Sequence, residues 1–377
     1  MNTQLVNDSI RISLLTCGPG EEIYSLFGHT AVRVVRPARN LDAVFNYGVF
    51  SFNTPNFIMR FVLGETDYQL GVNSYRTFVN QYQFYNREVW EQELNLTQTE
   101  KEKIVNFLFV NYQPENRIYR YNFFYDNCST RAMNCIERNL SQPLIFAKPM
   151  NQHTEHSFRD YLHLYSEGHP WSRIGMDLLL GVDADQPITR RETTFAPYQL
   201  KDIFDHAKIK NQEGRLEPFV KNSTLVIQHI PADVDKETLP TPVIVGWTLF
   251  IMMAILTSWG VWKQKSLWGV DALLFSIAGI FGIVLSFLAL FSQHPAVSSN
   301  YQIICFHPFH LFCLPFFIFK VAKQKRSYYM LINFLILTFF STFWCLIPQK
   351  IDAAVLPLAL CLLIRSVSNL LLSRKKK

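Results

Sequence analysis

A cysteine and a histidine about one hundred residues apart supply the clearest chemistry in this sequence. Cys128 lies in the polar run Tyr125-Asp126-Asn127-Cys128-Ser129-Thr130-Arg131, and His29 lies in Leu26-Phe27-Gly28-His29-Thr30. A cysteine attacks as the thiolate, and a neighbouring imidazole or the positive end of a helix lowers the pKa of the thiol. A thiol that opens a helix, with an imidazole in reach, predicts a cysteine nucleophile.

The polar neighbours of Cys128 favour a functional residue over the inert buried thiol that a lone cysteine usually is. The extended aromatic segment before it gives way to a helix that we expect to run from Cys128 to Leu140. Because the first amides of a helix lack partners within it, this helix start also offers an oxyanion hole. The supporting residues of the candidate site here are Asp126, Asn127 and Arg131.

The residues after His29 predict a strand over 29–35, with His29, Ala31 and Arg33 on one face. A polar face beside an apolar one suits the edge of a cleft, so Arg33 joins the supporting residues. An ordinary solvent-facing histidine fits this strand about as well when the strand is considered alone.

A third group must orient the imidazole of a catalytic histidine. The next predicted strand carries Asn46 and Tyr47 on opposite faces, and one of them would reach the ring. We prefer Asn46. Asp126 is a rival, although its place beside the nucleophile is more typical of local helix capping.

The remaining N-terminal sequence mixes strand and helix signals and predicts an α+β domain at residues 1–228, followed by a linker at 229–240. Strand signals occur at 9–16, 29–35, 43–50, 68–72, 87–94 and 216–228. Helix signals are a Thr54-Pro55 start for a helix through Phe61, a capping box from Thr97 to Glu100, and the mainly helical segment 153–210.

After about residue 240 the chain becomes a series of apolar stretches, each about 20 residues long, which suits a bilayer. The five predicted spans are Thr241–Trp262, Trp268–Phe291, Tyr301–Phe319, Tyr328–Ile347 and Ala353–Leu372. Two histidines and two prolines interrupt the third of them. Five such stretches, separated by short polar loops, argue against a buried soluble bundle and predict a transmembrane domain at 241–377.

Charge is divided unevenly between these two parts. Residues from 241 onward hold 12 Lys and Arg against 2 Asp and Glu, whereas the first 240 residues hold 24 against 28. The net charge of +6 therefore reflects basic membrane loops and not a nucleic-acid-binding surface. The positive-inside rule puts the C-terminus in the cytoplasm and the N-terminal domain in the periplasm, with the spans in the inner membrane.

Export of the N-terminal domain requires a signal, yet Met1–Thr16 has no continuous apolar segment. We infer that a signal peptide preceded this chain and was removed. In this topology Cys17, Cys128 and Cys135 are extracytoplasmic, where disulfides form. A Cys17–Cys135 bridge that leaves Cys128 free is one arrangement that the sequence permits.

The other histidines are weaker candidates, and no spacing with nearby acids makes a convincing metal site. His294 lies in a predicted outer loop, and His307 and His310 lie near the outer half of the third span. Ionisable groups at membrane depth are often functional, so His294 is a candidate of the membrane domain. Neutral histidines hydrogen-bonded within a helix bundle are the commoner explanation.

Several of these motifs resemble the bacterial lipoprotein N-acyltransferase family called Lnb. The periplasmic part of the resemblance rests on Leu14–Gly20, Leu26–Arg33, Phe45–Gly48 and Tyr121–Arg131. The apolar tail, with Ser292-Gln293-His294-Pro295, resembles the transmembrane domain of that family. The order of histidine before cysteine is also similar to that of the permuted papain-like thiol enzymes, including lecithin–retinol acyltransferases.

The resemblance implies a permuted papain-like thiol-enzyme domain followed by a five-helix transmembrane bundle. It implies that His29 is the base, Cys128 the nucleophile and Asn46 the orienting residue. It also implies a ping-pong reaction, in which Cys128 takes an acyl chain from a membrane phospholipid as a thioester. The acceptor would be the α-amine of diacylglyceryl-cysteine on a lipoprotein, and no metal or organic cofactor is required.

Two other functions stay open on the sequence alone. A membrane-tethered periplasmic cysteine hydrolase, acting as a peptidase or amidase, would use the same residues with water as the acceptor. A non-enzymatic factor that binds lipid or lipoprotein would keep Cys128 as a structural residue. The aromatic residues around Phe50 and Phe57 favour a lipid, and the reactivity of Cys128 towards a thiol probe separates enzyme from binding factor.

Overall fold

The computed structural model describes residues 9–53, 55–211, 213–230 and 239–374. The chain divides into two compact units: an N-terminal unit of Met1–Tyr165 with Pro187–Val234, and a C-terminal unit of Ser166–Gln186 with Asp235–Lys377. Most of the predicted linker lies outside the described residues, as does Thr54 of the predicted helix start.

An antiparallel sheet forms the centre of the N-terminal unit. The strands are β1 (Arg11–Cys17), β2 (His29–Arg36), β3 (Leu41–Val49), β4 (Asp67–Ser74), β5 (Val89–Leu94), β6 (Ile118–Arg120), β7 (His153–Ser157), β8 (Pro187–Thr189), β9 (Lys208–Lys210), β10 (Leu216–Pro218) and β11 (Val220–Ile227). Seven of them form the main sheet in the order β11-β5-β1-β2-β3-β4-β6, and the others form two small pairs, β10-β9 and β7-β8. Together with the helices this confirms the predicted α+β class.

Helices follow and flank these strands. The α-helices before residue 210 are α1 (Phe57–Leu63), α2 (Tyr75–Phe84), α3 (Gln98–Tyr112), α4 (Cys128–Glu137), α5 (Phe158–Tyr165), α6 (Pro170–Leu179), α7 (Arg190–Thr193) and α8 (Pro197–Asp205). The predicted capping box is present at the start of α3: the Thr97 hydroxyl accepts from the Glu100 amide at 3.3 Å, and the Glu100 carboxylate accepts from the Thr97 amide at 2.9 Å.

Three of the predicted elements differ in the structure. The helix predicted from Thr54 begins only at Phe57, behind Asn56 in the left-handed conformation. The helix predicted to reach Leu140 ends at Glu137. The segment 153–210, predicted as mainly helical, also contains β7, β8 and β9, because short extended pieces pair across the chain in ways that local periodicity does not reveal.

Alternating side chains bury both faces of the main sheet. One face carries Ile12, Leu14, Val32, Val34 and Phe45, which pack in one cluster with Met133 and Ile136 of α4. The other face carries Leu15, Cys17, Ala31 and Val44, which pack with Phe78 and Tyr82 of α2. The period of two along each strand thus places α4 and α2 on opposite sides of the sheet. The position of α4 matters most, because its first residue is Cys128.

Besides α6, the C-terminal unit contains a set of apolar helices. They are α9 (Pro242–Trp262), α10 (Trp268–Phe291), α11 (Phe309–Phe312), α12 (Leu314–Ala322), α13 (Tyr328–Thr342) and α14 (Val355–Arg374). Of the described helices, α9, α10 and α14 are long and apolar enough to cross a membrane. This helical unit has the membrane character that the sequence predicts.

The five predicted spans do not all appear as long helices among the described residues: three helices are long enough to span, or up to four if a bent pair counts as one span. The third predicted span is broken: Tyr301–Phe312 and Leu314–Ala322 meet at an angle of 79°, so they form at most one bent span. Proline lacks an amide donor and interrupts a helix; Pro315 directly follows this break, and Pro308 precedes α11. The helix at the fourth predicted span, α13, has only 15 residues, whereas a straight span needs about 20 residues.

The segment Ser166–Gln186 belongs to the C-terminal unit, although the sequence-based boundary put it in the N-terminal domain. Its backbone carbonyls accept hydrogen bonds from side chains of the later loops: Gln302 donates to Asp177 at 3.0 Å, and Gln349 donates to Leu180 at 2.8 Å. These polar contacts join residues that are far apart in the sequence, so no local sequence pattern predicts them.

A buried ion pair connects three of the long helices. Arg365 of α14 donates to both carboxylate oxygens of Asp271 of α10, at 2.6 and 3.0 Å. Its third contact is the Thr257 hydroxyl of α9 at 3.0 Å. Both charged side chains are only 1% exposed, and charges at such depth require partners of this kind.

Candidate active site

The start of α4 presents Cys128 as the first helical residue. Asn127 caps this helix, because its Oδ1 accepts from the amides of the second and third helical residues at 2.9 and 3.0 Å. The Asn127 amide group donates in turn to the carbonyls of Phe123 and Phe195, at 2.9 and 2.8 Å. The cap is thus held from both sides, and it fixes the thiol at the positive end of the helix.

The Cys128 side chain is buried, with 9% exposed. Burial acts to raise the pKa of its thiol. Attraction to His29 and hydrogen bonds from His29, from the Thr30 amide and from Ser129 outweigh burial, so that the pKa of Cys128 is lowered. The surroundings therefore favour the thiolate, which is the nucleophilic form.

His29 opens β2, and its Nε2 lies 3.2 Å from Oδ1 of Asn46 on β3. The Asn46 amide nitrogen donates to the carbonyl of Val44 at 3.2 Å and to Oδ1 of Asn73 at 3.3 Å, which fixes Oδ1 as the acceptor. The His29 Nε2 must then carry the hydrogen, and Nδ1 is the nitrogen left to exchange a proton with Cys128. The structure thus brings together the three residues that the sequence analysis gave catalytic roles.

A hydrogen bond between two buried hydroxyl groups stabilises this arrangement. Thr30 Oγ1 and Ser129 Oγ are 2.7 Å apart, and neither side chain is exposed. Each residue directly follows a candidate catalytic residue, so the pair ties β2 to α4 beside His29 and Cys128. This contact was not predicted from the sequence, although a hydroxyl residue follows each of the two candidates in the chain.

Asp126 and Arg131 form an ion pair across the helix start. Arg131 donates to the two carboxylate oxygens of Asp126 at 2.8 and 2.7 Å. The Arg131 guanidinium also lies 3.4 Å from the ring centroid of Tyr119 and 5.9 Å from that of Tyr47. Asp126 is therefore engaged with Arg131, and Asn46 is the side chain hydrogen-bonded to His29.

Two further candidate residues have partners elsewhere. Arg33 donates to Asp42 and to Glu91, with its closest contacts at 2.8 and 2.9 Å, so it belongs to a separate ionic cluster on the sheet. His294 lies in the C-terminal unit, where its backbone amide donates to the Ser292 hydroxyl at 3.2 Å. A functional role for His294 stays a prediction.

The other two thiols of the N-terminal unit differ from Cys128. Cys17 and Cys135 are buried free thiols, so the Cys17–Cys135 bridge that the sequence permits is not formed. Burial raises the pKa of each of them to about 12. Cys128 is thus the one of these three thiols whose surroundings favour the thiolate.

Aromatic rings lead from Cys128 towards the surface. Gly48 lies beside Cys128, since a Cβ placed on Gly48 would be 3.7 Å from the Cys128 Cβ and 3.6 Å from the Tyr121 ring. Tyr121 stacks on Tyr68 with ring centroids 4.1 Å apart, and Tyr68 lies 5.0 Å from Phe50. Phe50 contacts Phe52, which is 65% exposed. We call Gly48 and the four aromatic residues at positions 50, 52, 68 and 121 the aromatic path.

Two family models match this chain. The model of the Lnb N-terminal periplasmic domain matches residues 2–160, and that of the Lnb transmembrane domain matches residues 234–377. The chain belongs to the Lnb family. No curated protein and no solved structure matches it.

Membership of the Lnb family gives a periplasmic domain joined to a membrane anchor and supports an acyltransferase role of the lipoprotein N-acylation type. Cys128, His29 and Asn46 lie within the part matched by the Lnb periplasmic domain, and His294 lies within the part matched by the Lnb transmembrane domain. Among the residues that the structure describes, no cluster of three or more His, Cys, Asp or Glu side chains could hold a metal ion.

Proposed function

We propose that this protein transfers an acyl chain from a membrane phospholipid to the α-amine of diacylglyceryl-cysteine on bacterial lipoproteins, through a thioester on Cys128. The observation that carries the proposal is the contact between Cys128 and His29, with His29 held by Asn46 at 3.2 Å. This is a thiol nucleophile, a base and an orienting group in one connected arrangement.

In the first half-reaction the Cys128 thiolate attacks the carbonyl carbon of a phospholipid ester. The carbon–sulfur bond forms, and the carbonyl electron pair moves onto oxygen. When the tetrahedral intermediate collapses, the ester C–O bond breaks, and the imidazolium of His29 gives its proton to the leaving alkoxide. The products are a lysophospholipid and a thioester on Cys128.

In the second half-reaction the amine of the lipoprotein attacks the thioester carbonyl. The carbon–nitrogen bond forms, the neutral His29 accepts a proton from the amine, and the C–S bond breaks to release the Cys128 thiolate. The enzyme returns to its starting protonation state, and no metal or organic cofactor takes part. Thioesters react readily with amines, so one thiol serves both steps.

The aromatic path favours a lipid donor over a cell-wall peptide. Its rings connect the neighbourhood of Cys128 with Phe52 at the surface, and they offer apolar contacts to an acyl chain. A hydrolase of peptides would instead need polar groups for a peptide backbone. The membrane anchor of the Lnb family further keeps the enzyme at the surface where both lipid substrates reside. In our proposal this is the periplasmic side of the inner membrane.

The test is an intact-mass measurement of the purified full chain after incubation with phosphatidylethanolamine vesicles. We expect an adduct of one acyl chain that hydroxylamine removes, because hydroxylamine cleaves thioesters. Cys128→Ala should show no adduct, whereas Cys135→Ala, which changes another buried thiol of α4, should show the wild-type adduct.

Two results would contradict the proposal. Release of free fatty acid without an adduct or transfer to a diacylated lipopeptide would indicate the hydrolase. An unreactive Cys128, with neither adduct nor alkylation by iodoacetamide, would indicate a binding factor with a structural thiol.

A further inference from the structure

A buried tyrosine hydroxyl beside the candidate nucleophile lacks a partner. Tyr119, in β6, is 8% exposed, and its Oη has no hydrogen-bond partner among the residues that the structure describes. Buried hydroxyl groups are normally hydrogen-bonded, because removing them from water without a partner is costly. A hydroxyl of this kind beside a candidate nucleophile is available to donate to a bound molecule.

The position of this hydroxyl is defined by Gly48. A Cβ on Gly48 would lie 3.7 Å from the Cys128 Cβ and 4.0 Å from Tyr119 Oη, so both groups border the same small space. Gly48 has a φ of +90°, a conformation that L side chains rarely adopt, and this keeps the space free of a side chain. A substrate carbonyl that enters it meets the thiol on one side and the phenol on another.

We infer that Tyr119 is a catalytic residue whose hydroxyl donates a hydrogen bond to the oxyanion of the tetrahedral intermediate formed on Cys128. The inference rests on the proposed acyl transfer and adds the group that stabilises its transition state. The role requires a donor that is in place before the reaction, because such a donor costs no reorganisation when the charge develops.

The first turn of α4 has few amides left for this task. The sequence predicts that the helix start provides the oxyanion hole through its free amides. In the structure the amides of Ser129 and Thr130 already donate to Asn127 Oδ1, at 2.9 and 3.0 Å. The Arg131 amide donates to the Asn127 carbonyl at 3.0 Å. These bonds engage the amides of the second, third and fourth helical residues and leave that of Cys128 itself as the amide of the first turn for an oxyanion. A second donor then comes from another element, and β6 provides Tyr119.

Arg131 holds the Tyr119 ring in place. Its guanidinium lies 3.4 Å from the ring centroid and is itself fixed by the ion pair with Asp126. Burial raises the pKa of Tyr119 well above its usual value, so the phenol keeps its proton at neutral pH and acts as a donor. This gives the Asp126–Arg131 pair a positioning role that local sequence does not predict.

The experiment compares two reactions of the same thiol in Tyr119→Phe and in wild type, using the full chain. Acylation of Cys128 by phosphatidylethanolamine passes through an oxyanion, whereas alkylation by iodoacetamide does not. We expect Tyr119→Phe to slow acylation by about 10²- to 10³-fold. The alkylation rate should stay within about twofold of wild type, which also shows that the site remains folded.

The matched control is Tyr82→Phe. Tyr82 is likewise 8% exposed, and its hydroxyl is hydrogen-bonded to Cys17. Removal of this hydroxyl should leave both rates near those of wild type.

The outcomes separate this inference from the proposed function. Equal acylation rates in Tyr119→Phe and wild type would overturn the role of Tyr119 and leave the thioester mechanism intact. A parallel loss of acylation and alkylation in Tyr119→Phe would make the tyrosine a structural residue, which also overturns the inference. Absence of a thioester in wild type would refute the proposed function and this inference together.

Discussion

Two buried thiols at the same end of the sheet have pKa values that are shifted in opposite directions. Cys17 ends β1, and its backbone is paired with His29 in the sheet register, while Cys128 begins α4 and contacts the His29 side chain. Both thiols are free and buried. Yet the pKa of Cys17 is raised to about 12, whereas that of Cys128 is lowered.

The comparison shows which neighbouring groups favour the thiolate form of a buried cysteine. Burial raises the pKa of both thiols, and only the neighbouring groups differ. The partners of Cys17 are the Tyr82 hydroxyl and the charge of Arg87, and together they do not offset burial. Cys128 has an imidazole, a backbone amide and a hydroxyl directed at its sulfur. Proximity to His29 along the backbone is therefore insufficient, because the imidazole must point at the sulfur atom.

The largest effect is expected for Cys128→Ala. Removal of the attacking sulfur should reduce acyl transfer by about 10⁴-fold or more, to the uncatalysed background, since a covalent mechanism has no other route. Transfer from phosphatidylethanolamine to a diacylated lipopeptide, followed by mass spectrometry, measures this. Transfer above one hundredth of the wild-type rate would mean that Cys128 resembles Cys17 in being structural.

His29→Ala should cost about 10²- to 10⁴-fold in transfer, the usual contribution of a general base. It should also shift the pH profile of Cys128 alkylation. Because His29 lowers the pKa of this thiol, its loss raises the pKa, and alkylation then requires a higher pH. Rates of iodoacetamide labelling between pH 5 and pH 10 test this, and an unshifted profile would contradict the contact between the two side chains.

Asn46→Ala should reduce transfer by about ten- to a hundredfold. A hydrogen bond to a group that becomes charged contributes about 1.5–3 kcal/mol, which corresponds to one to two powers of ten in rate. Asn46 positions His29 and does not touch the sulfur, so the alkylation profile should move in the same direction as in His29→Ala but less far. Asn46→Asp, which keeps an acceptor oxygen, should recover part of the rate. Equal losses in both variants would point to a packing role.

Cys17→Ala should have the smallest effect. The expected transfer rate is within about twofold of wild type, and the cost is confined to stability, about 1 kcal/mol for the lost packing of a small buried side chain. Native protein at pH 8 should take up iodoacetamide at Cys128 and not at Cys17, because the pKa of Cys17 is about 12. Peptide mapping after labelling measures this, and fast labelling of Cys17 would remove the contrast between the two thiols.

The parts predicted well from the sequence are those fixed by neighbours in the chain. The capping box of α3, the strand that begins at His29 and the long apolar helices α9, α10 and α14 follow from local residue types and their period. The break of the third span came from prolines that were visible, but its angle of 79° and the short α13 were not predicted. Segment 166–186 groups with the C-terminal unit through hydrogen bonds to distant loops, which a reading of local sequence patterns does not reveal.

The sequence by itself identified a candidate nucleophile, a candidate base, the α+β class and the apolar C-terminal region, because residue types and short spacings carry that information. Only the tertiary structure distinguished the thiol of Cys128 from that of Cys17 and placed Asn46, rather than Asp126, against His29. It also revealed the hydrogen bond between the Thr30 and Ser129 hydroxyls. The physical reason is that the pKa of a buried group depends on the atoms within a few ångströms of it. Here those atoms come from β2 and α4, which lie about one hundred residues apart in the chain.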